Sequence, residues 1–251
     1  MNISWNAAAY NGSFSFVSRL GSSLLDLIEG TGLRVLDLGC GTGTLTHELA
    51  LRGFAVTGLD ASEEQLKRAS ADYPKTRFLK GDACDFSFDE PFDAVFSNAV
   101  FHWIDKERQM PMLSCVRRAL KKGGQFVFEM GGRGNNALIH EALAKSFAQC
   151  GLGPYRMPFY FPKIGEYAPM VEQAGFTVRK AWLFDRPTPL KGPHGLEEWI
   201  RMFVKTPFAG IAKEQTDEVI ARTVRALEGK LCHDGRWQAD YVRLRMAAEA
   251  I

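Results

Sequence analysis

The apolar positions of the chain fall into two alternating periodicities. Short apolar runs fit buried strands at Arg34–Leu38, Phe54–Leu59, Arg77–Lys80, Phe92–Ser97 and Gln125–Met130. Between them, amphipathic stretches with a period near 3.6 predict helices at Thr44–Arg52, Glu63–Asp72, Glu107–Leu120 and Asn136–Cys150. Lys121-Lys122-Gly123-Gly124 reads as the turn that closes the third of these helices. Strands alternating with helices of this length imply parallel pairing with right-handed crossovers, hence a doubly wound, mostly parallel α/β sheet.

The pattern changes after residue 150. Four prolines and several aromatics crowd residues 151–170, which reads as an ordered loop with short helical turns. A helix over Ala168–Ala174 should end at Gly175. Phe176–Asp185 is the next strand, and Arg186-Pro187-Thr188-Pro189 is expected to break it. Leu196–Val204 and Lys213–Leu231 predict helices, and Trp237–Met246 alternates as a last strand. Two late strands around a helical insertion suggest an antiparallel edge pair carrying a lid. The expected organisation is an α/β core over 1–150, a connecting segment over 151–175, and edge strands over 176–251 with the insertion at about 190–235.

The composition suits a sizeable folded core. The chain has 251 residues, 46% hydrophobic and 24% charged, with a formal net charge of +2. That balance gives no argument for a nucleic-acid partner. No apolar stretch is long enough to span a membrane. The five cysteines, Cys40, Cys84, Cys115, Cys150 and Cys232, show no metal-ligand spacing, so no metal is expected. With an N-terminus that does not resemble a secretory leader, they point to a cytoplasmic protein.

The strongest local signal is Val35-Leu36-Asp37-Leu38-Gly39-Cys40-Gly41-Thr42-Gly43. A buried strand runs directly into glycines at every second position, and a helix follows. Such a turn lets a ligand approach the backbone where a Cβ would obstruct it. The spacing is neither the dinucleotide fingerprint nor a phosphate-binding P-loop, which favours an uncharged or zwitterionic ligand. Asp60, at the end of the next strand, suits two hydroxyl groups of a ribose. The N-cap of the following helix is assigned instead to Ser62, with Gln65 as its capping-box partner. Asp82 follows the third strand, where it is either an adenine acceptor or an ordinary turn aspartate.

These segments together resemble class I S-adenosylmethionine-dependent methyltransferases. The resemblance is carried by VLDLGCGTG (35–43), GLDAS (58–62), GDA (81–83), FDAVFSNAVFHW (92–103) and LKKGGQFVFEM (120–130), in family order over the first half of the chain. It implies a Rossmann-like fold with S-adenosyl-L-methionine as cofactor. It implies that Gly39, Gly41 and Gly43 lie against the methionine portion, with Asp60 on the ribose and Asp82 and Ala83 on the adenine. Asn98 would face the methyl group's side, and Asp37, Cys40, Ala61, Ala99 and Trp103 complete the cofactor set. Trp5 and Tyr10 either form a flap over the cofactor or anchor the first helix.

A narrower likeness, carried by Trp5–Tyr10, Asn98–Trp103 and Glu129–Asn135, is to the trans-aconitate methyltransferase group. It implies O-methylation of a carboxylate on a small molecule or peptide. An ionised carboxylate needs no general base, but does need cations or donors to orient it. Arg133 is the first candidate for that task, with Arg19, Arg156 and Arg201 behind it. His102 stands as a catalytic candidate that could act as base, substrate donor or packing residue. Tyr155, Phe159, Tyr160, Phe161 and Tyr167 either line an apolar substrate cavity or pack the insertion. N- or C-methylation, and a non-catalytic cofactor-binding module, remain the alternatives at this level.

Overall fold

The computed structural model describes residues 23–251. Five parallel strands form the first part of the sheet: β1 (Arg34–Leu38), β2 (Ala55–Asp60), β3 (Arg77–Lys80), β4 (Phe92–Asn98) and β5 (Leu120–Gly131). The helices between them are α1 (Thr44–Leu51), α2 (Glu63–Asp72) and α3 (Gln109–Ala119), with α4 (Ala137–Gln149) and α5 (Ile164–Gln173) following β5. Two further strands, β6 (Phe176–Pro189) and β8 (Arg236–Ala250), flank α6 (Gly195–Phe203), α7 (Lys213–Leu231) and the short β7 (Cys232–His233). The sheet order is β3-β2-β1-β4-β5-β8-β6, with β8 antiparallel to both β5 and β6. The doubly wound sheet with its antiparallel edge pair and helical insertion is therefore the fold expected from the pattern.

The chain runs outward from β1 through β2 to β3, then returns to β4 on the other side of β1. That reversal opens a crevice at the carboxyl ends of β1 and β4, where open α/β sheets hold their ligands. Buried residues such as Leu36, Leu38, Val95 and Phe128 fix the sheet beneath it. Above it, Trp199, Phe203 and Leu227 of the insertion and Trp237 of β8 pack with Ile139 and Leu143 of α4 into a second core. The insertion is thus held rigidly over the strand ends by apolar burial.

Several local expectations change. β5 begins at Leu120, so Lys121–Gly124 lie within the strand; Leu120 pairs with Phe92 across a register irregularity. α5 starts at Ile164, earlier than expected, and carries Pro169 inside it. The largest change concerns β6, which runs through Arg186-Pro187-Thr188-Pro189 without breaking. Among the described residues, β6 is an edge strand paired only with β8. Leu190 donates its N–H to Trp237 O at 2.8 Å. Counting back by the strand's period of two, Arg186 and Thr188 share the phase of Leu190, while Pro187 and Pro189 turn their nitrogens outward. No ladder hydrogen bond is lost, so the prolines are accommodated.

Candidate active site

The glycine loop adopts the left-handed conformations its sequence requires. Gly39, Gly41 and Gly43 have φ of 79°, 55° and 80°. A Cβ on Gly39 would stand 2.2 Å from Val100 Cγ2, so the loop closes tightly on the tip of β4. Gly39 N donates to Leu59 O at 2.7 Å, and Gly41 N donates to Asp60 Oδ2 at 2.9 Å. Asp60 thereby ties the loop to β2 while remaining on the cavity wall. Burial pushes its carboxyl above the usual range, against the backbone N–H groups of Ser62, Gly41 and Ala61.

Ser62 caps α2, with Oγ accepting from Gln65 N at 3.3 Å. The reciprocal half of the expected capping box does not form. Ser62 N–H donates instead to Asp60 Oδ1 at 2.8 Å. Gln65 is released from that role. Its Oε1 is buried without a hydrogen-bond partner, and Gln65 lines the cavity beside Gly41 and Asp60. A buried acceptor in this state costs ~1–3 kcal/mol until a donor reaches it.

Asp37 sits below the loop rather than on the cavity wall. It is buried and accepts from Thr46 Oγ1 at 2.7 Å. Burial raises its carboxyl to about 7. Cys40 is likewise buried, while Ala61 supplies a backbone N–H to Asp60. Asp82 lies away from the cavity wall, paired with Arg108 at 2.8 Å and accepting from Cys84 N, and Ala83 is buried beside it. Trp5 and Tyr10, with Arg19, lie outside the described residues.

At the tip of β4, Asn98, Ala99, Val100, His102 and Trp103 all line the cavity. Ala99 takes φ 62°, unusual for a residue with a Cβ, while donating its N–H to Glu129 O at 2.7 Å. Asn136 on the same cavity has φ 53°. Strained backbone of this kind concentrates at functional sites.

His102 Nδ1 accepts the backbone N–H of Gly131 at 3.2 Å. An amide N–H only donates, so Nδ1 must hold a lone pair and the imidazole proton resides on Nε2. Burial, with Arg243 nearby, keeps the ring far below its ordinary pKa and hence neutral. His102 is therefore a hydrogen-bond donor at neutral pH.

The cations that sequence reasoning favoured stand elsewhere. Arg133 and Arg156 are exposed and outside the cavity wall. Arg201 pairs with Glu197 and Asp217 on the surface. The cavity instead receives Arg186 from β6 and Arg243 from β8. Register explains this. Glu129 faces Arg245, Gly131 faces Arg243, and Tyr241 faces Arg186. With side chains alternating along each strand, these groups rise from one face of the sheet.

Glu129 is buried at the centre of this cluster. Its Oε2 accepts from Arg245 Nε at 2.9 Å and Nη2 at 2.7 Å, a bidentate pair. Its Oε1 meets Arg243 Nε at 3.2 Å and Arg186 Nη2 at 2.5 Å. The Arg186 Nη2 atom is buried at this contact, so the ion pair is shielded from solvent. Burial works against the Glu129 charge, but Arg243, Arg186 and Arg245 together hold its carboxyl below the usual range.

The remaining wall is mostly aromatic, with Trp103, Phe159, Phe161, Trp199, Phe203 and Tyr241, interrupted by Asn135, Asn136 and Thr188. Phe159 and Phe161 come from the proline-rich segment, which is pinned by Tyr160 N–H to His102 O at 3.0 Å and Arg133 N–H to Pro162 O at 2.9 Å. Gly131 makes this possible, since a Cβ there would stand 2.4 Å from Phe161 Cε1. Of the aromatics for which both lining and packing roles were open, Tyr155, Tyr160 and Tyr167 pack into the surrounding cores. Arg186 and Arg243 were missed because the prolines suggested a break at 186. The arginines spaced by two in Tyr241-Val242-Arg243-Leu244-Arg245 were the available signal.

Comparison with known proteins places this geometry in context. Residues 35–124 match the family described as a methyltransferase domain. An uncharacterized methyltransferase of Schizosaccharomyces pombe is 33% identical over 97% of both chains. A trans-aconitate 2-methyltransferase of Methylobacterium nodulans is 28% identical over 89% of this chain and 88% of its own. A malonyl-[acyl-carrier protein] O-methyltransferase of Paenibacillus is 29% identical over 59% of this chain and 57% of its own. Among solved structures, an S-adenosylmethionine-dependent methyltransferase of Mesorhizobium loti superposes with TM-score 0.54 at 19% identity, covering 90% of this chain and 95% of that one. An N-methyltransferase of Haemonchus contortus, determined with S-adenosylhomocysteine, gives TM-score 0.58 at 20% identity over 97% of this chain and 56% of that one.

Proposed function

Since this chain belongs to the S-adenosylmethionine-dependent methyltransferases, we propose that it methylates a carboxylate oxygen of a small acid. The cofactor is S-adenosyl-L-methionine, and the cavity suits it. The glycine loop admits a close ligand, and Asp60 with the unpartnered Gln65 Oε1 offers acceptors for the hydroxyl groups of its sugar. Asn98 and Ala99 stand between that half of the cavity and the arginines. When bound, the cofactor supplies a methyl on a sulfonium that leaves neutral, so transfer to a carboxylate forms one C–O bond, breaks one C–S bond and moves no proton.

The observation that carries the carboxylate reading is the Gly131–His102 contact. The imidazole nearest the strand tips has its lone pair occupied and presents a donor. Such a ring cannot abstract a proton from an amine or phenol through Nε2, but it can donate to an oxygen that is already ionised. Arg186 and Arg243 add fixed positive charge on the same cavity. The chain's contribution is then orientation of the acid, a term that in favourable cases lowers a barrier by ~7–11 kcal/mol. The trans-aconitate and malonyl-carrier relatives are named for the same class of acceptor.

The test is product chemistry. Purified protein with labelled S-adenosylmethionine and a panel of acids should yield methylated products that mild alkali hydrolyses. Products that keep their label through alkali would mean an N- or C-acceptor and end this reading.

A further inference from the structure

We propose that the acceptor is a monocarboxylic acid on an apolar body, either an aromatic ring system or an alkyl chain, rather than a polycarboxylate. This inference rests on the carboxylate reading above. It follows from how charge is divided over the cavity wall. Three guanidinium groups surround one carboxylate, Glu129. Arg245 and Glu129 satisfy each other bidentately, and Arg245 does not line the cavity. Arg186 and Arg243 are left sharing the single atom Oε1. They are the two cationic side chains on the wall among the described residues, and they sit together. Arg186 Nη2 is buried and carries two N–H groups, and the anion it meets, Glu129 Oε1, is shared with Arg243. One carboxylate satisfies this pair.

The rest of the acceptor end holds no further cation among the described residues; of its uncharged polar groups, Thr188 Oγ1 already donates to Arg186 O at 2.9 Å, Asn135 Oδ1 accepts from Val242 N at 2.9 Å, and the buried, unpartnered Asn136 Oδ1 is itself an acceptor. Trp103 and Phe159 meet edge to face at 4.7 Å, Trp199 and Phe203 lie 5.4 Å apart, and Phe159 stacks on Phe161 at 5.3 Å. The indole N–H of Trp199 already donates to Tyr241 Oη at 2.6 Å. The titratable groups facing these rings are Tyr241, which burial keeps a neutral phenol, and the two imidazoles of His102 and His140. Burial keeps both neutral, so neither adds a cation behind the aromatic wall. Carboxylates placed against such rings would lose their hydration without gaining a partner. An apolar body gains by the same contact, since each aromatic face contributes dispersion and removes apolar surface from water.

The experiment compares 2-naphthylacetate, decanoate and trans-aconitate as acceptors for the full-length protein with S-adenosylmethionine. Methyl esters are identified by mass and alkali lability. Binding of 2-naphthylacetate is followed separately by quenching of tryptophan emission, which Trp103 and Trp199 supply at the wall. The expected result is a kcat/KM for the apolar monoacids about 100-fold above that for trans-aconitate, the scale set by an unpaired buried charge. Phe203→Ser should raise KM for 2-naphthylacetate about tenfold, in line with lost aromatic burial, and Phe203→Leu should restore most of it. S-adenosylhomocysteine affinity, measured by calorimetry, should be the same in all three proteins and certifies their folding. Alkali-labile ester formed equally well or better on trans-aconitate would overturn this inference and leave the carboxylate reading intact. Equal KM values in wild type and Phe203→Ser would do the same. Absence of ester from every acid overturns the carboxylate reading, and this inference with it.

Discussion

Gly131 donates its backbone N–H to Nδ1 of His102 at 3.2 Å, and the tautomer of the ring follows from that one bond. The contact spans the ends of two neighbouring strands. A histidine that the sequence leaves open as base, donor or packing residue becomes a donor because its neighbour across the sheet is a backbone amide.

The pH dependence of turnover tests this directly. A neutral histidine donor and an ionised acid leave no group to titrate between about pH 6 and 9 on the catalytic path. We expect kcat/KM to be flat over that range. His102→Gln, which keeps a side-chain donor, should retain more activity than His102→Ala, whose loss should be about tenfold or more. A rising limb near pH 6–7 that vanishes in His102→Gln would assign the ring as a base.

Arg186 and Arg243 should govern acid binding without governing cofactor binding. Arg186→Met is expected to raise KM for the acid by about 10- to 100-fold, the cost of a lost charge-assisted hydrogen bond. Arg186→Lys should recover only part of it, because a point charge does not reproduce the fork. S-adenosylhomocysteine affinity should stay unchanged in calorimetry. Arg133→Met, at an exposed position outside the cavity, should alter neither constant.

Glu129 is the counter-charge on which the arginine cluster depends. It is buried among three guanidinium groups. Glu129→Gln leaves those cations without an anion and should cost ~3–5 kcal/mol of unfolding free energy in denaturant titration. A variant as stable as wild type would mean that solvent, not Glu129, balances the charge.

Gln65 provides a test of the cofactor half that does not require turnover. Gln65 lines the cavity beside Asp60, and its Oε1 is buried without a partner. Gln65→Leu should weaken S-adenosylhomocysteine binding by about 3- to 15-fold while leaving the helix cap, which uses the backbone N–H of residue 65, in place. Asp60→Ala should weaken binding more, and also loosen the glycine loop, since its carboxylate accepts from Gly41 N.

Asp37 predicts a stability profile. Burial raises its carboxyl from 3.8 to about 7 in the folded protein. The group therefore adds stability that is complete at low pH, below its unfolded value, and is lost as pH rises through the folded value. Between about pH 4 and 7 this single residue should remove up to ~1.4 kcal/mol of stability per pH unit. Asp37→Asn keeps the acceptor for Thr46 and should flatten that slope in thermal melts. An unchanged slope would show that Asp37 is ionised in the fold.

The sequence by itself determined the architecture and the course of the glycine loop, because both rest on local rules. Strand–helix alternation dictates parallel crossovers, and the glycines at 39, 41 and 43 are needed where φ is positive. Asp60 was legible because it ends β2, next to the glycine loop. The acceptor end was not legible, because its groups converge from β4, β5, β6, β8 and the insertion, far apart in the chain. Whether Arg186 belongs to a strand or a turn depended on its neighbours, since prolines are tolerated only where β6 has no partner on its outer side. The fate of Gln65 depended on Asp60 reaching Ser62 N–H first. The role of His102 depended on a backbone amide twenty-nine residues away. Local propensity fixes which elements form; only their packing decides which donor meets which acceptor, and the chemistry of this site lies in those meetings.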